Sequence, residues 1–266
     1  MRLVFLGSPE AAVPSLEALV AAGHDIRLVV TQPDRRRGRG ADLVPTPVKA
    51  AALAHGLRVS HDVDDVLTAG AELGVVVAFG KIIKPHVLAA LPMVNVHFSL
   101  LPRWRGAAPV ERAILAGDNE TGVCLMRVDV GLDTGDVFAR RVVAIEESER
   151  ADELRARLAT IGAAMLVDGL RDGLGDGEPQ QGEPTYAAKI NPDELQLDMT
   201  RPADELVRLT RIGRAWTTVS GKRLIVWRAA VVDGEFTPLE VQPEGKARMP
   251  ADEWRRGQPS PVRLGS

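Results

Sequence analysis

The sequence predicts an α/β protein with a mainly parallel sheet, followed by a small β-rich second domain. Three observations lead to this fold class. From Arg2 to Arg171, short apolar runs alternate with helical stretches, a rhythm typical of a parallel sheet covered by helices. Residues Asp172–Pro184 are rich in Gly and Pro and nearly empty of large apolar residues, as expected of a linker or an exposed connection. Beyond this segment the pattern indicates one helix and several short strands.

Each element of the first domain is predicted from its local pattern. Short runs rich in β-branched and other apolar residues predict strands at Arg2–Leu6, Ile26–Thr31, Gly74–Phe79, Met93–Phe98, Gly122–Val128 and the more polar Val137–Ile145. Longer stretches, some ending in glycine, predict helices at Pro9–Ala22, Val48–Gly56, Val110–Gly117 and Asp152–Arg171. Because a single helix links Met93–Phe98 to Gly122–Val128, we expect these two strands to be parallel.

The second domain is predicted to begin with a helix at Pro202–Ile212. Thr217–Ser220 and Leu224–Ala229, joined through Gly221-Lys222, predict a hairpin, and Thr237–Val241 predicts a further strand. Few large apolar residues remain for a core, so this domain is expected to be small.

Composition narrows the class of protein. The chain has 266 residues, of which 45% are hydrophobic and 26% charged, as in ordinary soluble proteins. No stretch approaches the ~18 consecutive apolar residues of a membrane span, and the first residues predict a strand rather than a signal peptide. The one cysteine, Cys124, lies in an apolar run and is expected to be a core residue. Without an intramolecular disulfide the chain suits a reducing cytoplasm, and we expect a monomer that contacts no membrane.

Charge is distributed unevenly along the chain. Residues 201–266 contain 12 Lys and Arg against 8 Asp and Glu, a net charge of +4, which leaves −7 for the rest of a chain whose total is −3. A basic tail on an acidic body is compatible with nucleic-acid contact. The same excess of basic residues is equally compatible with an ordinary solvent-exposed surface that binds no nucleic acid.

Two short segments carry side chains suited to acid–base chemistry. Asn95 and His97 are two residues apart on a predicted strand, so both side chains point to one face near its C-terminal end. Ligands of open parallel sheets bind beyond such ends. Asp133 follows the next predicted strand and lies between Gly131 and Gly135, which allow a tight turn. If the two strands are parallel, Asp133 reaches the same edge of the sheet as His97.

An amide, an imidazole and a carboxylate at one edge are suited to acyl transfer to an amine. Asn95 can donate a hydrogen bond to the oxyanion of a tetrahedral intermediate, a protonated His97 can add charge, and Asp133 can orient the imidazole and relay protons. A histidine near a strand end is often only structural, however. The five histidines show no paired spacing for a metal, and Gly7-Ser8-Pro9 lacks the dinucleotide fingerprint. From the chemistry of these residues alone, the sequence indicates no more than an α/β enzyme capable of acyl transfer.

These segments resemble the folate-dependent formyltransferase superfamily. Its motifs Asn-x-His-x-Ser-Leu-Leu-Pro and Asp-x-Gly-x-Asp-x-Gly stand here at Asn95–Pro102 and Asp129–Gly135. The resemblance implies a Rossmann-like formyltransferase domain at 1–189, with Asn95, His97 and Asp133 as catalytic residues. It also implies a site for 10-formyltetrahydrofolate, without a metal. The residues implied at the folate site are Ser99, Leu100, Leu101, Pro102, Phe79, Gly80 and Ile82.

Within the superfamily, the chain resembles the enzymes that formylate the methionine carried by initiator tRNA. Three features carry this resemblance: Thr31–Arg35 leading into Gly38-Arg39-Gly40, Arg103–Val110, and Gln242–Lys246. The implied partner is initiator Met-tRNA, with Gly38 and Arg39 at its acceptor end, since an arginine can bond phosphate and stack on a base.

The resemblance further implies an OB-like second domain, residues 190–266, that binds the acceptor stem through basic residues. Those implied are Arg208, Arg211, Lys222 and Arg223, with Arg214 and Arg228 nearby. The chain departs from the family at Ala41-Asp42, where basic residues are common, and at Ala215-Trp216, where Pro-Trp is expected. The second domain also looks shortened, so a closed five-stranded barrel is difficult to build.

Two other functions remain open at this point. A formyltransferase acting on an amino-sugar nucleotide would share the three catalytic residues but would give no purpose to the Gly-Arg-Gly segment. A noncatalytic RNA-binding homologue is the alternative from another class. A nicotinamide oxidoreductase is a distant third, because the glycine fingerprint is missing.

Overall fold

The computed structural model describes residues 1–36, 43–258 and 262–266. They form two compact units, the first comprising 1–109, 121–144 and 155–187, the second 110–120, 145–154 and 188–266. The second unit thus takes in two short segments from earlier in the chain, and the domain boundary at residue 189 stays a prediction. None of the helices in the described residues combines the length and apolarity needed to cross a bilayer.

Up to Ala187, short strands and helices alternate along the chain. The strands are β1 (Arg2–Gly7), β2 (Asp25–Val30), β3 (Arg35–Arg36), β4 (Leu43–Val44), β5 (Val59–Ser60), β6 (Leu73–Val77), β7 (Met93–His97), β8 (Arg105–Gly106), β9 (Glu120–Arg127), β10 (Val137–Ala144) and β11 (Tyr186–Ala187). The helices are α1 (Val13–Ala21), α2 (Pro47–Ala54), α3 (Pro85–Ala90), α4 (Pro109–Ala116) and α5 (Ala151–Asp172).

The main sheet of the first unit has the strand order β10-β9-β7-β6-β1-β2-β5. The run from β5 through β2, β1 and β6 to β7 is parallel, which confirms the prediction of a mainly parallel sheet. Residues 3–6 of β1 are completely buried, as expected of a central strand covered on both faces. The parallel strands therefore bring their C-terminal ends to one edge, and β7 ends there at His97.

The predicted direction of β9 is wrong. β9 pairs with β7 antiparallel, with Val94 opposite Arg127 and His97 opposite Cys124. The helix α4 between them does not act as a crossover within the sheet, since residues 110–120 belong to the second unit. The chain leaves β9 near the start of β7, at the end of the strand remote from His97.

All five predicted helices differ from the structure by at least one residue at a boundary, and the first two differences have a clear local cause. The stretch Pro9–Ala22 is divided into a 3₁₀ turn at Glu10–Ala12 and helix α1. α2 begins one residue early, at Pro47, because Thr46 caps it by accepting a hydrogen bond from the Lys49 amide at 3.1 Å. The sequence pattern did not predict the six-residue helix α3.

The second unit is β-rich, as predicted. After α6 (Ala203–Ile212) come β12 (Ala215–Val219), β13 (Lys222–Val232), β14 (Glu235–Pro243), β15 (Met249–Pro250) and α7 (Ala251–Arg256). The strands form an antiparallel sheet in chain order, with α6 and α7 contributing to its core. The hairpin turn lies at Ser220-Gly221 rather than Gly221-Lys222, because both residues adopt the positive φ that such two-residue turns require.

Candidate active site

Asn95 and His97 lie on β7 at the edge where the parallel strands end. Strand alternation directs both side chains to the same face of the sheet. His97 is only 5% exposed, and Asn95 is half-buried. β7 is paired on both sides, with β6 and β9, so its backbone holds these side chains in a fixed register.

Each ring nitrogen of His97 faces an acceptor oxygen. Nε2 lies 2.9 Å from the carbonyl oxygen of Trp104, and because a carbonyl only accepts, Nε2 donates the proton. Nδ1 lies 3.7 Å from Oδ2 of Asp133, beyond direct hydrogen-bond distance but close enough for the carboxylate to attract a protonated ring. The Asp133 side chain is 17% exposed. A positive charge on the ring would therefore face a carboxylate that is largely shielded from water.

The backbone around Asp133 is shaped to present its carboxylate. Asp133 has a φ of 50°, in the left-handed region, and its Oδ2 accepts a hydrogen bond from the Gly106 amide at 2.7 Å. The nearby Gly135 is needed for close packing, since a Cβ there would lie 2.1 Å from the carbonyl oxygen of Arg127. The tight turn predicted from the flanking glycines is therefore present, but the residue with the unfavourable positive φ is Asp133 itself.

Asp133 reaches His97 by folding back along the sheet. The Val128 amide donates to the Met93 carbonyl at 2.9 Å, so the segment starts level with the beginning of β7. His97 is four residues farther along the strand, roughly 13 Å away. The five residues from Val128 to Asp133 can span roughly 17 Å when extended, which is enough to cover this distance.

The segment after β7 has an inner and an outer set of side chains. Ser99 and Leu101 are buried, and the Ser99 hydroxyl donates to the Arg103 carbonyl at 2.6 Å. Leu101 packs in a small core cluster with Cys124 and two neighbours, and burial raises the pKa of the Cys124 thiol. Leu100 and Pro102 are half-buried. Of the four residues in this segment that were expected at a folate site, only Leu100 and Pro102 offer accessible side-chain surface.

The loop that follows β6 has an unusual backbone. Ala78 and Gly80 both have positive φ, 45° and 73°. Phe79 is buried in the core, and its carbonyl accepts a hydrogen bond from the Gln32 side-chain amide at 3.3 Å. Ile82, by contrast, is 89% exposed. Of the loop residues expected at the folate site, Phe79 anchors the loop while Gly80 and Ile82 are accessible.

Two of the arginines expected to bind tRNA have partners inside the second unit. Arg211 donates to the carbonyl oxygens of Glu149 at 2.8 Å and Glu146 at 2.9 Å, and burial lowers the pKa of its guanidinium. Arg208 donates to the Asp204 carboxylate at 2.6 Å. The contacts of Arg211 give it a structural role, whereas the Arg208–Asp204 pair is partly exposed and contributes little to stability. A part in tRNA binding stays a prediction for both.

The other basic candidates lie at the surface. Arg223 is exposed and stacks on the ring of Trp216, with its guanidinium carbon 4.3 Å from the ring centre. Lys222 is exposed at the start of β13. Gly38 and Arg39 lie outside the residues that the structure describes, between β3 and β4. A role in tRNA binding is untested for all four.

Sequence reasoning missed the groups that hold the candidate catalytic residues. Trp104 and Gly106 act through a backbone carbonyl and a backbone amide, which no side-chain pattern reveals. Thr185 accepts a hydrogen bond from the Trp104 amide at 2.9 Å. Across the described residues, no group of three or more His, Cys, Asp or Glu side chains is placed to hold a metal ion.

Comparison with known proteins relates the chain to formyltransferases. The family described as formyl transferase matches residues 1–170. A Ruegeria pomeroyi protein named methionyl-tRNA formyltransferase is 42% identical over 297 aligned positions, covering 98% of this chain and 98% of the relative. A Halorhodospira halophila protein of the same name is 48% identical over 236 positions, covering 84% of this chain and 75% of the relative.

Solved structures of formyltransferases share the fold of this chain. The methionyl-tRNA formyltransferase from Clostridium thermocellum matches with a TM-score of 0.68 at 17% identity, covering 91% of this chain and 98% of that one. An N-formyltransferase from Helicobacter canadensis, in complex with folinic acid and dTDP-3-aminofucose, matches with a TM-score of 0.68 at 17% identity, covering 87% and 88%. The chain therefore belongs to the formyl transferase family of enzymes and, within it, to the methionyl-tRNA formyltransferases.

Proposed function

We propose that the chain transfers the formyl group of 10-formyltetrahydrofolate to the α-amino group of methionine carried by initiator tRNA. Its relatives named methionyl-tRNA formyltransferase are 41–48% identical over most of its length. The observation that carries the proposal is the side-chain cluster at the end of β7, where Asp133 lies 3.7 Å from His97 and Asn95 shares the same strand face.

The proposed reaction is a direct attack of the substrate amine on the formyl carbon. The new N–C bond forms as the carbonyl becomes a tetrahedral oxyanion, to which Asn95 donates a hydrogen bond while protonated His97 adds positive charge. The bond from the formyl carbon to N10 of the folate then breaks. The amine loses a proton and N10 gains one, so the overall transfer is balanced without an enzyme nucleophile.

Asp133 is proposed to orient the His97 ring and to accept the proton that the substrate amine loses. With Nδ1 and Oδ2 only 3.7 Å apart, an amine or a water molecule beside the pair can contact both the ring and the carboxylate. A proton leaving the amine can then pass to this carboxylate directly or through water.

The folate is proposed to bind between the loop after β6 and the segment after β7. Exposed Ile82 and half-buried Leu100 and Pro102 supply apolar surface, and the backbone of the exposed residues Ala78 and Gly80 is proposed to supply polar groups. A flat, partly apolar ring system with polar edges suits such a site. Among solved structures of this fold, the Helicobacter canadensis protein was crystallised with folinic acid, which supports a folate site.

An amino-sugar nucleotide is the competing acceptor, since the Helicobacter canadensis protein was solved with one. That protein is only 17% identical, whereas the relatives above 40% carry the tRNA name. The Arg223–Trp216 pair and exposed Lys222 also offer cationic surface of the kind that binds phosphate backbones.

The experiment is transfer of labelled formyl from 10-formyltetrahydrofolate by the pure enzyme to three acceptors. We expect label on initiator Met-tRNA and none on uncharged initiator tRNA, which lacks the amine. A dTDP-amino sugar is expected to be a poor acceptor. Faster labelling of the sugar would establish the competing function. Absence of transfer to either acceptor, with tRNA still bound, would indicate a noncatalytic RNA-binding protein.

A further inference from the structure

Gln180 makes hydrogen bonds with both segments that position Asp133. Its Oε1 accepts from Nε of Arg105 at 3.0 Å and from a terminal nitrogen of the same guanidinium at 2.6 Å. Its Nε2 donates to the carbonyl oxygens of Asp133 and Gly135, each at 2.8 Å. One half-buried side chain thus satisfies four hydrogen-bonding groups in the first unit.

The chemistry of these partners requires a side-chain amide. An arginine only donates hydrogen bonds and a carbonyl only accepts them, so the residue between them must accept at one end and donate at the other. A glutamate at position 180 would keep the contact with Arg105 but would direct a negative oxygen at the two carbonyls. An asparagine is one methylene shorter and cannot keep both contacts.

These hydrogen bonds close a ring of contacts around the candidate catalytic carboxylate. Arg105 precedes Gly106, whose amide binds Oδ2 of Asp133, and Gln180 binds the backbone carbonyl of the same aspartate. Asp133 holds a left-handed φ of 50°, a conformation that costs a non-glycine residue free energy and persists only where neighbours impose it. Gln180 anchors the carbonyl side of this turn, and Arg105 in turn holds the Gln180 side chain.

We infer that Gln180 is a positioning residue for formyl transfer, acting through Asp133 with Arg105 as its partner. The inference rests on the proposed function, because it assigns Asp133 a part in that reaction. Without the amide, the turn can relax and the carboxylate moves relative to His97. A displacement of about 1 Å in such a site can cost about 10²-fold in rate, while substrate binding elsewhere is unaffected.

The test compares Gln180→Ala, Gln180→Met and Gln180→Glu with the matched control Gln181→Ala, which alters an exposed neighbour. Formyl transfer to Met-tRNA is measured as kcat and KM for each substrate and as a pH–rate profile. We expect all three Gln180 variants to lose at least 10-fold in kcat, with KM changed less than 3-fold and the profile displaced. The control should stay within 2-fold of the parent. The near-isosteric Met and Glu variants keep the packing volume, so they report on hydrogen bonds if the alanine variant folds poorly.

A double-variant cycle separates positioning from general support of the fold. In an Asp133→Ala background, Gln180→Met should lower kcat by less than 2-fold, because the carboxylate it positions is gone. Equal losses in both backgrounds, or parent-like kcat and pH profile in the Gln180 variants, would overturn the inference. Either result with an active parent enzyme leaves the proposed function standing. An inactive parent enzyme would refute the proposed function itself.

Discussion

Replacing Asp133 by asparagine removes a charge from the candidate site while keeping its shape. The amide oxygen can still accept the hydrogen bond from Gly106 that Oδ2 accepts at 2.7 Å. The lost quantity is the attraction between the carboxylate and a protonated His97 across 3.7 Å. At an effective dielectric constant of about 20 this attraction is about 4.5 kcal/mol, and residual solvent exposure reduces it. At about 1.4 kcal/mol per tenfold change, kcat should fall by roughly 10²- to 10³-fold.

The assay is steady-state formyl transfer, with thermal unfolding as a check on the fold. Asp136→Asn is the matched control, because Asp136 lies in the same segment and only forms a loose pair with Arg127 at 3.9 Å. It should retain kcat within about 2-fold, since partly exposed pairs of this kind contribute little. If Asp133→Asn keeps more than half of the parent kcat, the charge on Asp133 has no part in the reaction and the reasoning is refuted.

Three further predictions concern stability, reactivity and tRNA binding. Arg211→Ala should lower the free energy of unfolding by roughly 2 kcal/mol or more, because two charge-assisted hydrogen bonds to carbonyls are lost. The measurement is urea unfolding, with exposed Lys222→Ala as the control, for which the free energy of unfolding should change by less than ~0.5 kcal/mol. If both variants changed it equally, Arg211 would have no structural role. Burial raises the pKa of Cys124, so at pH 8 a thiol reagent should label only unfolded protein, where roughly a quarter of the thiol is ionised. Because burial disfavours the thiolate, this group leaves the free energy of unfolding unchanged below about pH 8.5 and lowers it as the pH rises above that value. Labelling of the native enzyme within minutes would contradict burial. Arg39→Ala should raise KM for Met-tRNA at least 10-fold while folate binding, measured by fluorescence, is unchanged, and parent-like turnover at subsaturating tRNA would remove Arg39 from the tRNA site.

The parts of the fold that follow local patterns could be predicted from the sequence. Continuous apolar runs such as β1 predict buried parallel strands because both faces of the strand are covered. The direction of β9 could not be predicted in this way. A crossover rule assumes that the connecting helix packs on the same sheet, whereas residues 110–120 belong to the second unit, and no periodicity in α4 indicates this.

The candidate site shows the same division between side chains and backbone. Asn95, His97 and Asp133 are distinctive in a chain that resembles a known family, so motifs identify them. Their supports are a Trp104 carbonyl, a Gly106 amide and a glutamine within a Gly- and Pro-rich segment. Backbone groups occur at every residue, and nothing in the sequence distinguishes Gln180 from the neighbouring Gln181. Such contacts become evident only when the chain is folded.

The central claim is that Asn95, His97 and Asp133 act together on one formyl group. It is tested most directly by the single-turnover rate of N-formylmethionyl-tRNA formation at saturating folate and Met-tRNA. The variants are Asn95→Ala, His97→Ala, Asp133→Asn and the triple variant. Each single change should slow the chemical step by at least 10²-fold. The triple variant should be slower than the slowest single variant by less than about 10-fold, because residues acting as a unit are not additive. Parent-like rates in any single variant, or losses that multiply fully in the triple variant, would contradict the account.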